Sequence, residues 1–140
     1  MTAKDYLSKE EIKELVKKSN FKAALEIADT WFWICASFAF VAVWTHPISI
    51  FIALWVIGGE QLACAISMHD TSHHAQFKSK SANIVLGNLF GGFPVFVDVQ
   101  RYRPYHLAHH SRTGLGHDPD SGLTTGYPAG KASFTRKVLR

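Results

Sequence analysis

The fold is decided by residues 28–68, ADTWFWICASFAFVAVWTHPISIFIALWVIGGEQLACAISM. This stretch holds two acidic residues, Asp29 and Glu60, and no lysine or arginine occurs between Lys22 and Lys78. A chain of 140 residues cannot build a soluble core large enough to bury so much apolar surface. Lipid is therefore the better solvent for this stretch, and we expect an all-α integral membrane fold.

Two membrane spans are predicted here, the first at about 24–45 and the second at about 48–68. Each is long enough for a hydrocarbon core, which takes roughly 20 residues, and Pro47 marks the break between them. All fifteen Lys and Arg residues lie outside this hairpin, beside its two open ends. The positive-inside tendency assigns that side to the cytoplasm. We therefore expect a multi-pass integral membrane protein with a cytoplasmic N-terminus.

Residues 1–20 predict an amphipathic cytoplasmic helix that precedes a membrane domain of residues 21–140. Ser8 and Glu11 fit a capping box, and an apolar stripe runs between lysines on the helix that follows. Such a helix either lies on anionic lipid or packs on the rest of the protein. Residues 84–99 are apolar, but they are short and broken by glycines and a proline, so they predict an interfacial or re-entrant segment.

The formal net charge of +4 arises within residues 98–140. Basic patches can bind nucleic acid, but these flank apolar segments, which favours a cytoplasmic membrane face and no nucleic-acid partner. Residues 111–130 are rich in turn formers and predict a loop, and residues 134–140 predict the start of a basic helix. Cys35 and Cys64 lie in apolar stretches and predict no disulfide.

Histidines are concentrated in two clusters, residues 69–74 (HDTSHH) and residues 106–110 (HLAHH). Spacings of three and four residues place histidines of each cluster on one face of a helix, within reach of a common ion. Neutral imidazole is the commonest nitrogen ligand for zinc, copper, iron and nickel. The clusters therefore predict a metal site at the membrane edge, with these candidate ligands: His69, His73, His106, His109 and His110.

Other polar residues near the clusters have weaker claims. His74 is ambiguous as a ligand, whereas His46 and His117 are isolated and predict no ligand role. Asp70 either orients an imidazole as a second-shell partner or caps the helix, and it replaces the glutamate that an HExxH zinc protease needs. Glu60 is costly inside a span, and we expect it to pair with a structural partner on another helix.

Both clusters, the second within residues 101–120 (RYRPYHLAHHSRTGLGHDPD), resemble the first and second histidine boxes of the membrane fatty acid desaturases. In that family the boxes read HxxxH and HxxHH, lie on the cytoplasmic side after a membrane hairpin, and a DPD-like element follows the second box. The resemblance implies that the first-box iron ligands are His69 and His73 and the second-box ligands are His106, His109 and His110. His74 would extend the first box.

The resemblance also implies a transmembrane helical hairpin followed by cytoplasmic or interfacial helices that carry the boxes. It implies a non-haem di-iron centre that uses molecular oxygen to dehydrogenate an acyl chain of a membrane lipid. Breaking an unactivated C–H bond exceeds what side-chain acids and bases do, so a redox metal suits this task. Electrons would come from an external donor of ferredoxin or cytochrome type. The alternatives are a related hydroxylase or ketolase acting on lipids or carotenoids, or a non-catalytic metal-binding relic.

Members of that family carry a third HxxHH box after further spans, and no histidine follows His117 in this sequence. Five box histidines are too few to hold two irons as the family does. We therefore expect this chain to be an N-terminal portion, a partial desaturase domain that is inactive by itself.

Overall fold

The structure, a computed structural model, describes residues 6–139, and these residues are helical without any strand. The helices are α1 (Lys9–Leu15), α2 (Asn20–Val43), α3 (Pro47–Ser72), α4 (Lys80–Leu86), a π-helix (Gly87–Gly92), a 3₁₀ turn (Phe93–Val95), α5 (Val99–Arg112), α6 (Ser121–Thr124) and α7 (Lys131–Val138). The all-α prediction is confirmed. The chain divides into two compact units between Arg103 and Pro104.

Two helices of the described chain, α2 and α3, are long and apolar enough to span a membrane. They have 24 and 26 residues, with mean hydropathies of 1.4 and 1.7. Large apolar side chains such as Phe32, Phe51 and Trp55 (73% exposed) project from them without protein cover. Exposed apolar area costs about 25 cal/mol per Å² in water, and soluble monomers rarely expose large apolar patches. The two faces therefore suit lipid, as the sequence predicts.

Both spans extend beyond the predicted limits at the ends where the chain enters and leaves the hairpin. α2 begins at Asn20 because the Ser19 hydroxyl accepts the N–H of Lys22 at 3.3 Å and caps the helix. α3 continues to Ser72, so the helix of the second span also carries the start of the first histidine box, as its spacing predicts. Glu60, half-buried in α3, makes no hydrogen bond or ion pair with any described residue, so the expected partner on another helix is not found there.

The tight turn between α2 and α3 satisfies its own polar groups. Nδ1 of His46 accepts the N–H of Ile48 at 3.2 Å and caps α3, while its ring stacks on Trp44 with centroids 5.2 Å apart. The Ser49 hydroxyl accepts the N–H of His46 at 3.1 Å and donates to the turn carbonyls. His46 therefore has a local structural role, which its isolated position did not indicate.

The segment that follows the first box lies close against α3 through glycines. A Cβ at Gly87 would lie 2.3 Å from Oγ1 of Thr71, and one at Gly91 would lie 2.8 Å from the backbone nitrogen of Met68. Only residues without a side chain permit such close approach between helices. From Lys80 to Val95 the segment qualifies as a span only when it is counted together with α5, which agrees with the prediction that it is no independent span.

Asn83 anchors the loop between the first box and α4. Its side chain is fully buried; Oδ1 accepts the N–H of Phe77 at 3.0 Å, and Nδ2 donates to the carbonyls of Phe77 and Ser79, each at 2.7 Å. On the other side of the π-helix, Trp31 Nε1 donates to the carbonyl of Phe90 at 3.1 Å. The side chains of Asn83 and Trp31 thus hydrogen-bond backbone groups that the loop and the irregular helix would otherwise leave unpaired.

At the N-terminus, α1 has the capping box that the sequence predicts. The N–H of Glu11 donates to the Ser8 hydroxyl at 3.2 Å, and the N–H of Ser8 donates to the Glu11 carboxylate at 2.9 Å. The pKa of Glu11 is lowered by the bond from the N–H of Ser8 to its carboxylate, followed by a bond that the Ser8 hydroxyl donates to the same carboxylate at 2.7 Å. No residue of α1 is buried, and Leu15 is 73% exposed. Of the apolar stripe, Ile12 is half-buried and Leu15 and Val16 have little cover from the described residues, and the choice between lipid and protein contact stays a prediction.

The second unit comprises the C-terminal part of α5, the loop after it, α6 and α7. The predicted loop at 111–130 is interrupted by α6, a single turn at Ser121–Thr124. The basic helix begins at Lys131, three residues before the predicted start at 134, with Gly130 at its N-cap.

Candidate metal centre

The first pair of candidate ligands lies at the C-terminal end of α3. His69 and His73 are one turn apart, both half-buried, and their ring centroids are 4.9 Å apart. A ring nitrogen of each lies within 4.8 Å of the other. His73 is the C-cap but keeps helical dihedrals (φ −79°, ψ −3°), which preserves the i, i+4 alignment. The predicted common face is therefore present in the structure.

Asp70 makes the contact that a second-shell role requires. Its Oδ1 lies 2.8 Å from Nδ1 of His69, so a proton on Nδ1 is shared with a carboxylate and Nε2 is left for a metal. The end of α3 is held by two further side chains: the Thr71 hydroxyl donates to the carbonyls of Ser67 and Met68, and the Ser72 hydroxyl donates to that of His69 at 2.6 Å. These bonds fix the backbone that carries the pair.

His74 stands apart from this pair because the chain turns away at this residue. It adopts a left-handed backbone conformation with φ 57°, and its carbonyl accepts a hydrogen bond from Nζ of Lys18 at 2.6 Å. Burial, followed by the positive charge of Arg103, lowers the pKa of His74 and favours the neutral imidazole. Its buried Nδ1 has no hydrogen-bond partner in the described chain. Arg103 also donates to the carbonyl of Ser72, which further fixes the helix end.

The second unit holds another pair on α5. Nε2 of His106 lies 3.0 Å from Nε2 of His110, and the ring centroids are 4.5 Å apart. His106 is buried at 7% exposure, whereas His110 is exposed. Two nitrogens that bind the same ion, each at about 2.0–2.1 Å, lie roughly 3 Å from each other. The spacing of this pair therefore fits shared coordination of a transition metal.

His109, the remaining member of the second box, points its Nδ1 to a pair of carboxylates. Oδ1 of Asp118 lies 2.7 Å from this nitrogen, and Oδ2 of Asp120 lies 3.3 Å from it. The hydrogen bond to Asp118 raises the pKa of His109. In turn, the backbone N–H of Asp120 and then the bond to His109 lower the pKa of Asp118. His109 therefore differs from His106 and His110, whose Nε2 atoms face each other.

The chain matches a known family over most of its length. The family model described as fatty acid desaturase matches residues 42–140, which include both boxes and the whole of α3. This chain belongs to the fatty acid desaturase family. The membership confirms the resemblance to that family, and the two apolar helices are compatible with a membrane protein.

Two curated relatives cover smaller parts of this desaturase-family chain. A Delta(8)-fatty-acid desaturase of Euglena gracilis is 42% identical over 53 residues, which are 37% of this chain and 13% of the relative. A dihydrorhizobitoxine desaturase of Bradyrhizobium elkanii is 33% identical over 69 residues, 49% of this chain and 18% of the relative. The chain thus matches less than a fifth of either relative's length. No solved structure gives a significant match.

Most candidate residues of this desaturase-family chain stand in one of the two local arrangements. His69 and His73 pair in the first unit, and His106 and His110 pair in the second, whereas His117 is exposed, as expected from its isolation. Asp118 and Asp120 were not predicted as site residues. Their signal was available, because the DPD triplet follows the second box within the quoted stretch.

Proposed function

We propose that the protein acts in oxygen-dependent desaturation of an acyl chain at a non-haem di-iron centre, with these iron ligands: His69, His73, His106, His109 and His110. The observation that carries this proposal is the pairing of box histidines in each unit, with ring nitrogens close enough to share an ion. An all-imidazole donor set suits iron, copper or zinc, and membership of the desaturase family favours iron.

The proposed reaction converts –CH₂–CH₂– to –CH=CH–. The substrate loses two hydrogen atoms, which carry two electrons. An external donor supplies two more electrons, and two protons come from water. Together they reduce one O₂ to two H₂O. When bound, iron supplies the oxidising power that no side chain has. The protein's residues hold the imidazoles in position and exclude competing ligands. The electron donor would be a ferredoxin-type or cytochrome-type protein, and the substrate an acyl lipid of the membrane.

We further propose that both boxes and the N-terminus face the cytoplasm. The turn between α2 and α3 has no Asp, Glu, Lys or Arg. Every lysine and arginine lies beyond the other ends of these helices, except Lys22 in the first turn of α2. This distribution matches the positive-inside tendency for a two-span hairpin. With α1 exposing an apolar stripe beside lysines, the same side offers a contact for anionic lipid.

Iron binding by the purified chain tests the proposed centre. The chain is loaded with Fe²⁺ without oxygen and free of zinc, desalted, and assayed for iron content. We expect retained iron, and its loss when His69→Ala and His106→Ala are combined. His117→Ala, a histidine outside both boxes, is the matched control and should retain iron. A wild-type chain that retains no iron would refute the proposal.

Lipid analysis of a desaturase-deficient host that expresses this chain tests the reaction. Because five box histidines are fewer than the family uses for two irons, we expect no new double bonds from the 140 residues alone. New unsaturated acyl chains would contradict the proposed inactivity while supporting the reaction. New hydroxylated or keto products would instead support the hydroxylase or ketolase alternative.

A further inference from the structure

We propose that Asp118 is a positioning residue that holds His109 with its proton on Nδ1 and so directs Nε2 to the metal. This role rests on the proposed function for the identity of the metal, whereas the contact between Asp118 and His109 is present in the structure itself. The 2.7 Å contact between Oδ1 of Asp118 and Nδ1 of His109 is the observation that carries it. Nothing in the box spacing HxxHH indicates this role.

The carboxylate of Asp118 is fixed by its own loop before it meets His109. It is 9% exposed, and its Oδ1 accepts the N–H of Asp120 at 2.9 Å. The loop is stabilised by backbone bonds from Asp118 to the carbonyl of Leu115 (3.0 Å) and from Ser121 to the carbonyl of Asp118 (3.0 Å). A carboxylate held in this way accepts the imidazole proton from one direction and so restricts the orientation of the His109 ring. Little conformational entropy of that ring then remains to be lost when a metal binds.

Asp120 supports the same arrangement from the other end of the DPD triplet. Its Oδ2 lies 3.3 Å from Nδ1 of His109, and its Oδ1 accepts a hydrogen bond from the hydroxyl of Tyr105, one turn earlier on α5. Tyr105 also donates to the carbonyl of Pro119 at 3.3 Å. The triplet therefore contacts α5 at two successive turns, which sets the rotation of the His109 ring as well as its tautomer.

Chemistry explains why the tautomer matters. A neutral imidazole carries one proton, and the nitrogen without it has the lone pair that binds a metal. Carboxylates on the far nitrogen of metal-bound histidines fix both the tautomer and the ring orientation, and their loss typically lowers metal affinity 10–100-fold. His69 and Asp70 show the same contact in the first unit, at 2.8 Å. Each box would then contain one histidine held by a carboxylate.

The first test needs no metal. Long-range ¹H–¹⁵N correlation spectra of the full chain in micelles report which nitrogen of His109 carries the proton at a pH where the ring is neutral. We expect the Nδ1–H form in the wild type and in Asp118→Asn, which keeps an oxygen acceptor, and the Nε2–H form in Asp118→Ala. Finding Nε2–H in the wild type, or no change in Asp118→Ala, overturns the inference.

The second test measures Fe²⁺ affinity of the same proteins, with Glu14→Ala as the control that removes one exposed carboxylate elsewhere. We expect about 10–100-fold weaker binding for Asp118→Ala, a smaller loss for Asp118→Asn and no change for Glu14→Ala. Equal affinities for wild type and Asp118→Ala, with folding checked by circular dichroism, overturn the inference. If the wild type binds no iron, the proposed function fails, whereas the tautomer experiment still decides the role of Asp118.

Discussion

Gly91→Ala is expected to displace the part of α3 that directly precedes the first histidine box. A Cβ at this position would lie 2.8 Å from the backbone nitrogen of Met68 and 3.0 Å from the carbonyl oxygen of Cys64. Both atoms belong to the backbone of α3, so no change of rotamer relieves the contact. The π-helix and α3 must move apart, and Met68 directly precedes the candidate ligand His69.

The size of the effect follows from two opposing terms. Overpacking a close contact costs about 1–3 kcal/mol, whereas alanine is favoured over glycine in a helix by roughly 0.8–1.0 kcal/mol. Gly58→Ala on α3 is the matched control, since a Cβ there would meet nothing within 4 Å. The difference between the two variants isolates the clash, and we expect Gly91→Ala to be less stable by about 1–3 kcal/mol, a factor of roughly 5–150 in the unfolding equilibrium.

Reversible unfolding in mixed micelles with increasing SDS, followed by tryptophan fluorescence, measures this difference. Fe²⁺ affinity gives a second measurement, because a local distortion of α3 beside Met68 would change the alignment of His69 with His73 and weaken binding. Equal unfolding free energies for Gly91→Ala and Gly58→Ala would refute the reasoning, since they would mean that the two helices are not in close contact at Gly91. Unchanged stability of Gly58→Ala relative to wild type would be compatible with it.

Three further outcomes can be checked with the same chain. Trp31→Phe removes the indole donor to the carbonyl of Phe90 and should lower the free energy of unfolding by about 1 kcal/mol in the SDS titration. Asn83→Ala leaves buried backbone groups unpaired, so we expect a loss of at least about 1–3 kcal/mol and faster hydrogen exchange in the loop before α4. Because the pKa of Glu11 is lowered, its contribution to α1 is present above the ordinary glutamate pKa and is lost as pH falls through the lowered value. Hydrogen exchange within α1 should therefore quicken in acid, and Ser8→Ala should reduce that dependence without abolishing it, because the backbone N–H that contributes most is retained.

The hairpin and the facing histidines could be predicted from the sequence because both depend on local regularities. Continuous apolar composition requires lipid wherever the helices pack, and a four-residue spacing aligns side chains on any α-helix. His69 and His73 therefore needed only the continuation of α3. The ends of the spans were harder to predict, since the start of α2 depends on whether the Ser19 hydroxyl accepts the N–H of Lys22.

Features that depend on contacts between distant segments could not be predicted. The glycines of the π-helix indicated a broken segment, but not that Gly87 would meet Thr71, sixteen residues earlier in the chain. Likewise, the DPD triplet indicates a turn, whereas its orientation to His109 depends on the path of the loop through Leu115. Periodicity carries no information about such paths, because they are set by loop geometry and not by helix register.

The uncharged turn between α2 and α3 has a consequence for biogenesis. The Ser49 hydroxyl and the His46 imidazole already hydrogen-bond to backbone N–H and carbonyl groups of the turn. Few of these groups therefore need a partner from the surroundings. Translocating a charged loop through hydrocarbon is costly, but this one contains no Asp, Glu, Lys or Arg. In the orientation proposed above, the two helices would enter the bilayer together, and the charged segments on either side would stay in the cytoplasm.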